Sequence, residues 1–297
     1  MTAYRCSVAS IERREPIFAT ASRVDRWLVV EQRGPWSAET VPRSRLGAEL
    51  AGSLQRLAGL AGARLLLARR PGGVPATGRR VFFADSRPGS ERLLSRVVSD
   101  DSELAGLALP DSAPGEWSPV GSRLLLVCTH GKHDPCCALW GRPVARALSG
   151  RYPQETWECT HSGGDRFAPN LVVLPEGYYF GRMPPEEAGD IVAALEKGRL
   201  LTAYLRGRSS LGLHVQAAQH FARQLLGTDD AAELAPVADE PVDGSSWRVR
   251  LRFTARGEVA VTVRRVPAPA HRLTCGASAP AEAFVFELRT LSASPAC

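Results

Sequence analysis

Cysteine and histidine side chains are concentrated in one short stretch of this chain. Four of its seven cysteines and three of its six histidines lie between positions 128 and 161. Thiolates and imidazoles gathered in this way are typical of metal and redox sites. The sparse, odd cysteine count argues against a disulfide-stapled secreted scaffold. The fold is therefore expected to bring this stretch together around one site.

The same stretch alternates strand and helix patterns. Residues 123–127 form a continuous apolar run that ends at Cys128, and residues 156–160 form a second strand pattern. Between them, Asp134 and Pro135 supply an N-cap and a proline at the first helical position, which predicts a helix there. A loop at 161–165, strands at 170–174 and 178–181, and a helix at 184–197 follow. This order, β-α-β and then a hairpin and a helix, predicts a thioredoxin-like sheet.

The flanking regions predict two further units. Residues 1–120 are α/β in pattern, with strands at 26–32, 64–68 and 80–84 and helices at 46–60 and 91–98. Residues 207–297 predict a helix at 214–226, an acidic loop at 229–244, and strands at 247–253, 258–263 and 284–288. We therefore predict an α/β protein with three parts: an N-terminal α/β domain (1–120), a thioredoxin-like domain (121–206) and a small α+β C-terminal appendage (207–297).

Composition excludes several classes of protein. The net charge of +6 and the isoelectric point near 9.1 come from arginines scattered among acidic residues, not from a basic stripe, so we expect no nucleic-acid partner. No apolar run approaches the ~20 residues that span a bilayer, and residues 1–10 lack the pattern of a secretory signal. We expect a soluble, cytoplasmic protein that does not contact a membrane.

The spacing of the cysteines distinguishes between kinds of site. The paired C-x2-C ligands that zinc prefers are missing, as is the C-x-x-C of a thioredoxin dithiol, and only part of a Rieske pattern is present. An iron–sulfur cluster with mixed cysteine and histidine ligands fits best. Two alternatives stay open: a thiol-based redox enzyme or sensor that uses Cys136 or Cys137 at the start of the helix, and a structural zinc-binding module.

Several longer segments resemble one protein family. WLVVEQRGPW, LLLVCTHGKHDPCC, GRPVARAL and WECTHSGGDRFAPNLVVLPEGYYFGRM are similar to sucrase/ferredoxin-like proteins, relatives of the thioredoxin-like 2Fe–2S ferredoxins, from residue 5 to about residue 208. The resemblance implies a thioredoxin-like fold and a 2Fe–2S cluster with two cysteine and two histidine ligands. Nothing in the sequence indicates the glycosidase chemistry that the word sucrase suggests.

The resemblance assigns ligands position by position. The two cysteines of the family motif fall on Cys128 and on Cys137, which we prefer to Cys136. The two histidines fall on His161 and on position 165, where this chain has Asp165 instead. The fourth ligand is therefore either the Asp165 carboxylate or the nearby Cys159 thiol.

The expected role is electron transfer by a 2Fe–2S protein. We expect an electron carrier rather than an enzyme, and a protein as its redox partner. The sequence names neither the electron donor nor the acceptor. His130 and His133 are interpreted as hydrogen-bond donors near the cluster or as solvated loop residues, and Asp134 as a helix cap. The remaining cysteines, Cys6, Cys275 and Cys297, are interpreted as isolated thiols.

Overall fold

Two β-sheets organise the chain, seen in a computed structural model that describes residues 3–39, 41, 44–73, 77–254 and 257–294. Cys297 lies outside the described residues. In chain order the elements are α1 (Cys6–Glu12), β1 (Arg26–Glu31), α2 (Ala48–Leu60), β2 (Ala63–Arg69), β3 (Arg79–Asp85), β4 (Arg92–Val98), α3 (Asp101–Ala105), β5 (Ser118–Pro119), β6 (Leu124–Cys128), α4 (Pro135–Arg151), β7 (Thr156–Cys159), β8 (Asn170–Leu174), β9 (Tyr178–Gly181), α5 (Ala188–Glu196), β10 (Leu205–Arg208), α6 (Leu213–Leu226), β11 (Ala235–Pro241), β12 (Ser246–Phe253), β13 (Gly257–His271) and β14 (Ala281–Ser294). Short 3-10 helices occupy Pro114–Glu116, Asp165–Phe167 and Pro185–Glu187.

The thioredoxin-like arrangement is confirmed in the middle of the chain. Strand β6 runs parallel to β7 through α4, while β8 pairs antiparallel with β6, and β9 pairs antiparallel with β8. All five residues of β6 and of β8 are buried, as expected for strands covered on both faces. Helix α5 closes the unit after β9.

This unit continues into the N-terminal strands. The larger sheet has ten strands in the order β10-β9-β8-β6-β7-β2-β1-β3-β4-β5, and β7 joins β2 through the pairs Ala68↔Cys159 and Arg69↔Glu158. Segments on both sides of residue 120 thus share one sheet, and the boundary drawn there from sequence stays a prediction. The helix predicted at 91–98 is wrong, because this segment is β4, paired antiparallel with β3.

The C-terminal region has its own four-stranded antiparallel sheet, β11-β12-β13-β14, on which α6 packs. Its long β13–β14 hairpin carries a connecting loop, residues 272–280, back to the N-terminus. There the Tyr4 hydroxyl donates to the Arg272 carbonyl at 2.8 Å. Among the described residues, no helix combines the length and apolar character that crossing a membrane requires.

Candidate metal centre

The site begins where two parallel strands end. Cys128 closes β6 and Cys159 closes β7, and the two residues are register partners, so the loops that follow them start at the same edge of the sheet. Both cysteines are buried. The first loop leads into α4 and the second is the HSGGD segment, so neighbouring strand ends bring together groups that are far apart in sequence.

Helix α4 presents its first turn to this edge. The Asp134 carboxylate caps it by accepting the Cys136 amide at 2.8 Å, and Pro135 follows. The helix lies very close to β6 because Gly141 has no side chain: a Cβ there would stand 2.1 Å from the Cys128 carbonyl oxygen. Cys137 therefore lies in the first turn of a helix packed directly on the strand that ends at Cys128.

The HSGGD loop curls back over the same edge. Gly163 and Gly164 have φ angles of 108° and 80°, which residues other than glycine rarely adopt. Arg206 fixes the loop from below by donating to the Gly163 carbonyl at 2.9 Å and to the Asn170 side chain at 2.8 Å. Asn170 in turn donates to the Gly164 carbonyl at 2.9 Å. The loop is held by backbone and buried polar contacts, which orient its two terminal side chains.

The structure brings the four predicted ligand residues together. The ligand atoms of Cys128, Cys137 and His161 lie within 4.8 Å of one another. Oδ1 of Asp165 lies 3.0 Å from the Cys137 sulfur and 2.9 Å from Nδ1 of His161. Asp165 thus contacts Cys137 and His161 but does not belong to their group with Cys128, and its carboxylate groups instead with His133 and His161.

Their contacts shift the protonation of these groups. The neighbouring Cys137 thiol and the His161 imidazole hold the pKa of Cys128 well below the ordinary thiol value. Cys137 faces that thiolate, which raises the Cys137 pKa. Burial favours a lower pKa for His161, but the contacts with Asp165 and Cys128 outweigh it and raise the pKa to about 9. These contacts favour a thiolate at Cys128 beside a protonated His161 imidazole, while Cys137 is a neutral thiol that donates to Asp165.

Cys159, the alternative fourth ligand, lies in the same buried cluster as Cys128 and Cys137. Its side chain is fully buried in the apolar core that contains Trp157 and Tyr179. Burial raises the pKa of this thiol well above its usual value. Across the part of the chain that the structure describes, Cys159 belongs to no group of ligand atoms within metal-binding reach of one another.

Of the two interpretations of His133, the structure shows the one that places it beside the site. Its ring stacks on His161 with centroids 3.9 Å apart, and its Nε2 lies 3.7 Å from Oδ2 of Asp165. With 35% of its side chain exposed, it forms the solvent edge of the site. His130 is buried instead and contacts the Ser37 carbonyl oxygen at 2.7 Å. The position of His133 depends on loop geometry, which residue spacing does not give.

Cys136 points away from this group. Neighbouring residues on a helix project about 100° apart, so Cys136 and Cys137 face different surroundings. The Cys136 sulfur lies 3.4 Å from that of Cys275, beside Cys6. The interpretation of Cys6 and Cys275 as isolated thiols is wrong, because both belong to this second cluster, and no local sequence signal marks the contact.

The first group fits an iron–sulfur cluster by its donor chemistry. Two cysteine sulfurs are the ligands such clusters use, and imidazole replaces thiolate in known cluster types. The Nδ1 atom of His161 faces the Asp165 carboxylate at 2.9 Å, so the ring would have to lose a proton to act as a ligand. The carboxylate of Asp165 is a harder donor than imidazole, which makes it the least typical member of the set.

A family model described as sucrase/ferredoxin-like matches residues 17–207. Two solved structures, cysteine-to-serine variants of the thioredoxin-like 2Fe–2S ferredoxin from Aquifex aeolicus, are 22% identical to this chain. Each match covers 28% of this chain and 97% of the ferredoxin, with a TM-score of 0.25. No curated protein matches the chain.

Proposed function

Because this chain belongs to the sucrase/ferredoxin-like family, we propose that it is a 2Fe–2S electron-transfer protein whose cluster is held by Cys128, Cys137, His161 and Asp165. The observation that supports the proposal is the group of Cys128, Cys137 and His161 ligand atoms within 4.8 Å of one another, with the Asp165 carboxylate in contact with Cys137 and His161. A bound cluster would supply one-electron redox chemistry, and the protein tunes its potential through ligand type, hydrogen bonding and burial.

The chain's own residues have separate tasks at this site. Cys128 and Cys137 provide buried thiolate donors, and the HSGGD loop orients His161 towards them. His133 and His161 form the solvent edge, with 35% and 20% of their side chains exposed. We propose that a protein redox partner docks over this edge, since the two thiols are enclosed.

Burial argues against the thiol-enzyme alternative. Cys136 and Cys137 are 0% and 1% exposed, so neither sulfur is accessible to a substrate disulfide or peroxide. The six described cysteines are free thiols. Because reduced thiols are typical of the cytosol, we propose a cytoplasmic location.

Metal content tests the proposal directly. The protein is purified without oxygen and analysed for iron, acid-labile sulfide and zinc, together with visible absorbance. Two irons and two sulfides per chain are expected, with coloured protein that bleaches on reduction. A colourless protein that carries only zinc at Cys128 and Cys137 would overturn the proposal and favour a structural zinc module.

Ligand substitutions test the assignment. Cys128→Ser and Cys137→Ser should each abolish the cluster, whereas Cys159→Ser, the matched buried control, should retain it. Asp165→His should retain the cluster and shift its electron paramagnetic resonance towards the bis-histidine type. If Cys159→Ser loses the cluster and Asp165→Ala keeps it, the site has three cysteine ligands and one histidine.

A further inference from the structure

A second cluster of metal-binding side chains lies beside the first turn of α4. Its members are Cys6 at the start of α1, Cys136, Cys275 in the β13–β14 loop, and the capping residue Asp134. Their ligand atoms all lie within 4.8 Å of one another. The Cys275 sulfur is 3.4 Å from that of Cys136 and 3.6 Å from that of Cys6. The Asp134 carboxylate oxygens are 3.6 and 3.7 Å from the Cys6 sulfur.

These separations match a tetrahedral metal site. Zinc binds thiolate at about 2.3 Å, so two thiolates on one tetrahedral ion stand roughly 3.8 Å apart. The observed sulfur–sulfur distances of 3.4 and 3.6 Å are close to that value and far from the ~2.05 Å of a disulfide. Cys6, Cys136 and Asp134 are almost completely buried, and Cys275 is half-buried, so most of the donors lie away from bulk water.

We propose that Cys6, Cys136, Cys275 and Asp134 bind one structural zinc ion, separate from the group around Cys137. Three thiolates and a carboxylate are a set of donors that zinc accepts. Binding displaces the thiol protons and changes no oxidation state. This site does not depend on the proposed electron-transfer function.

Backbone hydrogen bonds already hold the donors in place. Asp134 accepts the Cys136 amide at 2.8 Å on one oxygen and the Cys275 amide at 2.7 Å on the other, leaving lone pairs on both oxygens. The Cys6 amide points at the Cys275 sulfur at 3.4 Å, which stabilises negative charge on that sulfur. The two amides therefore fix Cys136 and Cys275 on the same carboxylate.

The consequence is a connection between distant parts of the chain. Cys6 and Cys275 are 269 residues apart, and Cys136 belongs to the thioredoxin-like unit. One ion would tie the N-terminal helix, α4 and the hairpin of the C-terminal sheet together. The neighbouring contact of Tyr4 with Arg272, a guanidinium 4.5 Å above the Tyr4 ring, lies at the same junction.

Zinc analysis in a background without the first site separates the two clusters. The Cys128→Ser/Cys137→Ser double variant removes both thiols of the first group. We expect this full-length protein to retain one zinc per chain, and to lose it when Cys275→Ser or Cys136→Ser is added. Cys159→Ser is the matched control and should leave the zinc content unchanged.

Cobalt gives a readout of geometry. Co²⁺ added to the double variant should produce sulfur-to-cobalt charge-transfer bands and the intense visible bands of a tetrahedral ion, both lost on adding Cys275→Ser. Zinc retained after Cys275→Ser overturns the proposal. So does a metal-free protein in which mass spectrometry finds Cys275 in a disulfide with Cys6 or Cys136, because the cluster is then a redox pair.

Discussion

Arg206 carries its guanidinium into the interior next to the HSGGD loop. It is 1% exposed, and burial lowers its pKa to about 10. Within the described residues no ion pair includes it. Its donors go instead to Thr20, Asn170 and the carbonyl of Gly163. Burying a cation among neutral oxygens costs desolvation free energy, which is offset only if each N–H donor has an acceptor. The loop and Arg206 therefore stabilise each other.

Gly164→Ala should disrupt this arrangement. A residue with a Cβ would pay about 1–3 kcal/mol of backbone strain at this φ angle of 80°. Its Cβ would also stand 2.3 Å from the Arg206 guanidinium. We expect a loss of unfolding free energy above that range together with loss of bound iron. Gly198→Ala, at φ 71° with open space around it, should show the backbone strain only. Equal losses in urea titrations of the two variants would contradict the clash.

The 2Fe–2S cluster proposed above gives a prediction for the reduction potential, because His161 is one of its proposed ligands. A neutral imidazole in place of a thiolate reduces the negative charge on the cluster, so reduction should be easier than in all-cysteine plant-type ferredoxins near −400 mV. Protein-film voltammetry on the loaded protein measures this. His161→Cys, which restores a thiolate, should lower the potential. A wild-type value as low as about −400 mV would contradict ligation by His161.

At this scale the sequence indicated one of the two groups of neighbouring side chains and missed the other. The strand ends of one β-α-β segment predicted that the loops after Cys128 and Cys159 meet, and the family resemblance then assigned Cys128, Cys137, His161 and Asp165. Cys6 and Cys275 could not, because their contact with Cys136 depends on where the β13–β14 hairpin packs. Residue spacing within a segment carries no information on that packing.

Among the elements, β4 shows why one assignment failed. Apolar residues at 93, 94, 97 and 98 are compatible with both a helix and a strand. The segment is a strand because it pairs with β3, a contact that its own sequence does not show. Helix α2 and strands β1, β6 and β8 were predictable because a cap, a turn or a continuous apolar run marked them. Strand β11 was not, since its exposed, acidic residues 235–241 resemble a loop.

At the end of β3, Asp85 joins neighbouring elements and gives a pH prediction. It is buried, and Arg87 and Arg26 contact its carboxylate at 2.6 and 3.2 Å. Burial favours a higher pKa, but the hydrogen bonds from Arg87 outweigh it and lower the Asp85 pKa in the folded protein. Because its pKa is lower in the folded protein, the Asp85 carboxylate stabilises the fold at pH values above the ordinary aspartate pKa of 3.8. That stabilisation is lost as the pH falls through the folded-state pKa.

Asp85→Asn should therefore cost about 1–3 kcal/mol of unfolding free energy at pH 7, and the difference from the wild type should shrink below pH 3.8. Urea titrations at several pH values provide the measurement. Asp190→Asn, which breaks an exposed pair with Arg151, serves as the control and should change stability by at most about 1 kcal/mol. A cost for Asp85→Asn that does not vary with pH would contradict the assignment.

Over the whole molecule, the ten-stranded sheet has a core that contains residues from both sides of position 120. Trp157 of β7 meets Phe82 of β3 edge to face at 5.3 Å, and both belong to one buried cluster with Trp27 and Leu126. The fold class could be predicted from strand and helix order. The fusion of the two segments could not, because the β2–β7 pairing is a contact between distant strands with no turn to mark it.

Trp157→Ala should destabilise both segments at once. Removing a fully buried tryptophan costs about 3–5 kcal/mol, and the cavity faces strands from either side of residue 120. Hydrogen exchange should show β1–β3 and β6–β8 losing protection together. Leu60→Ala, at a side chain 90% exposed, should stay within about 0.5 kcal/mol of the wild type. Protection that survives in β1–β3 alone would indicate independent folding units.

The adjacency of Cys136 and Cys137 limits how sequences of this kind can diverge. Each cysteine faces its own cluster, and one inserted or deleted residue in this turn would rotate the following side chains by about 100°. Such a change would misalign the donors of both clusters in a single event. Between Asp134 and Cys137, tolerance of insertions should therefore be close to zero.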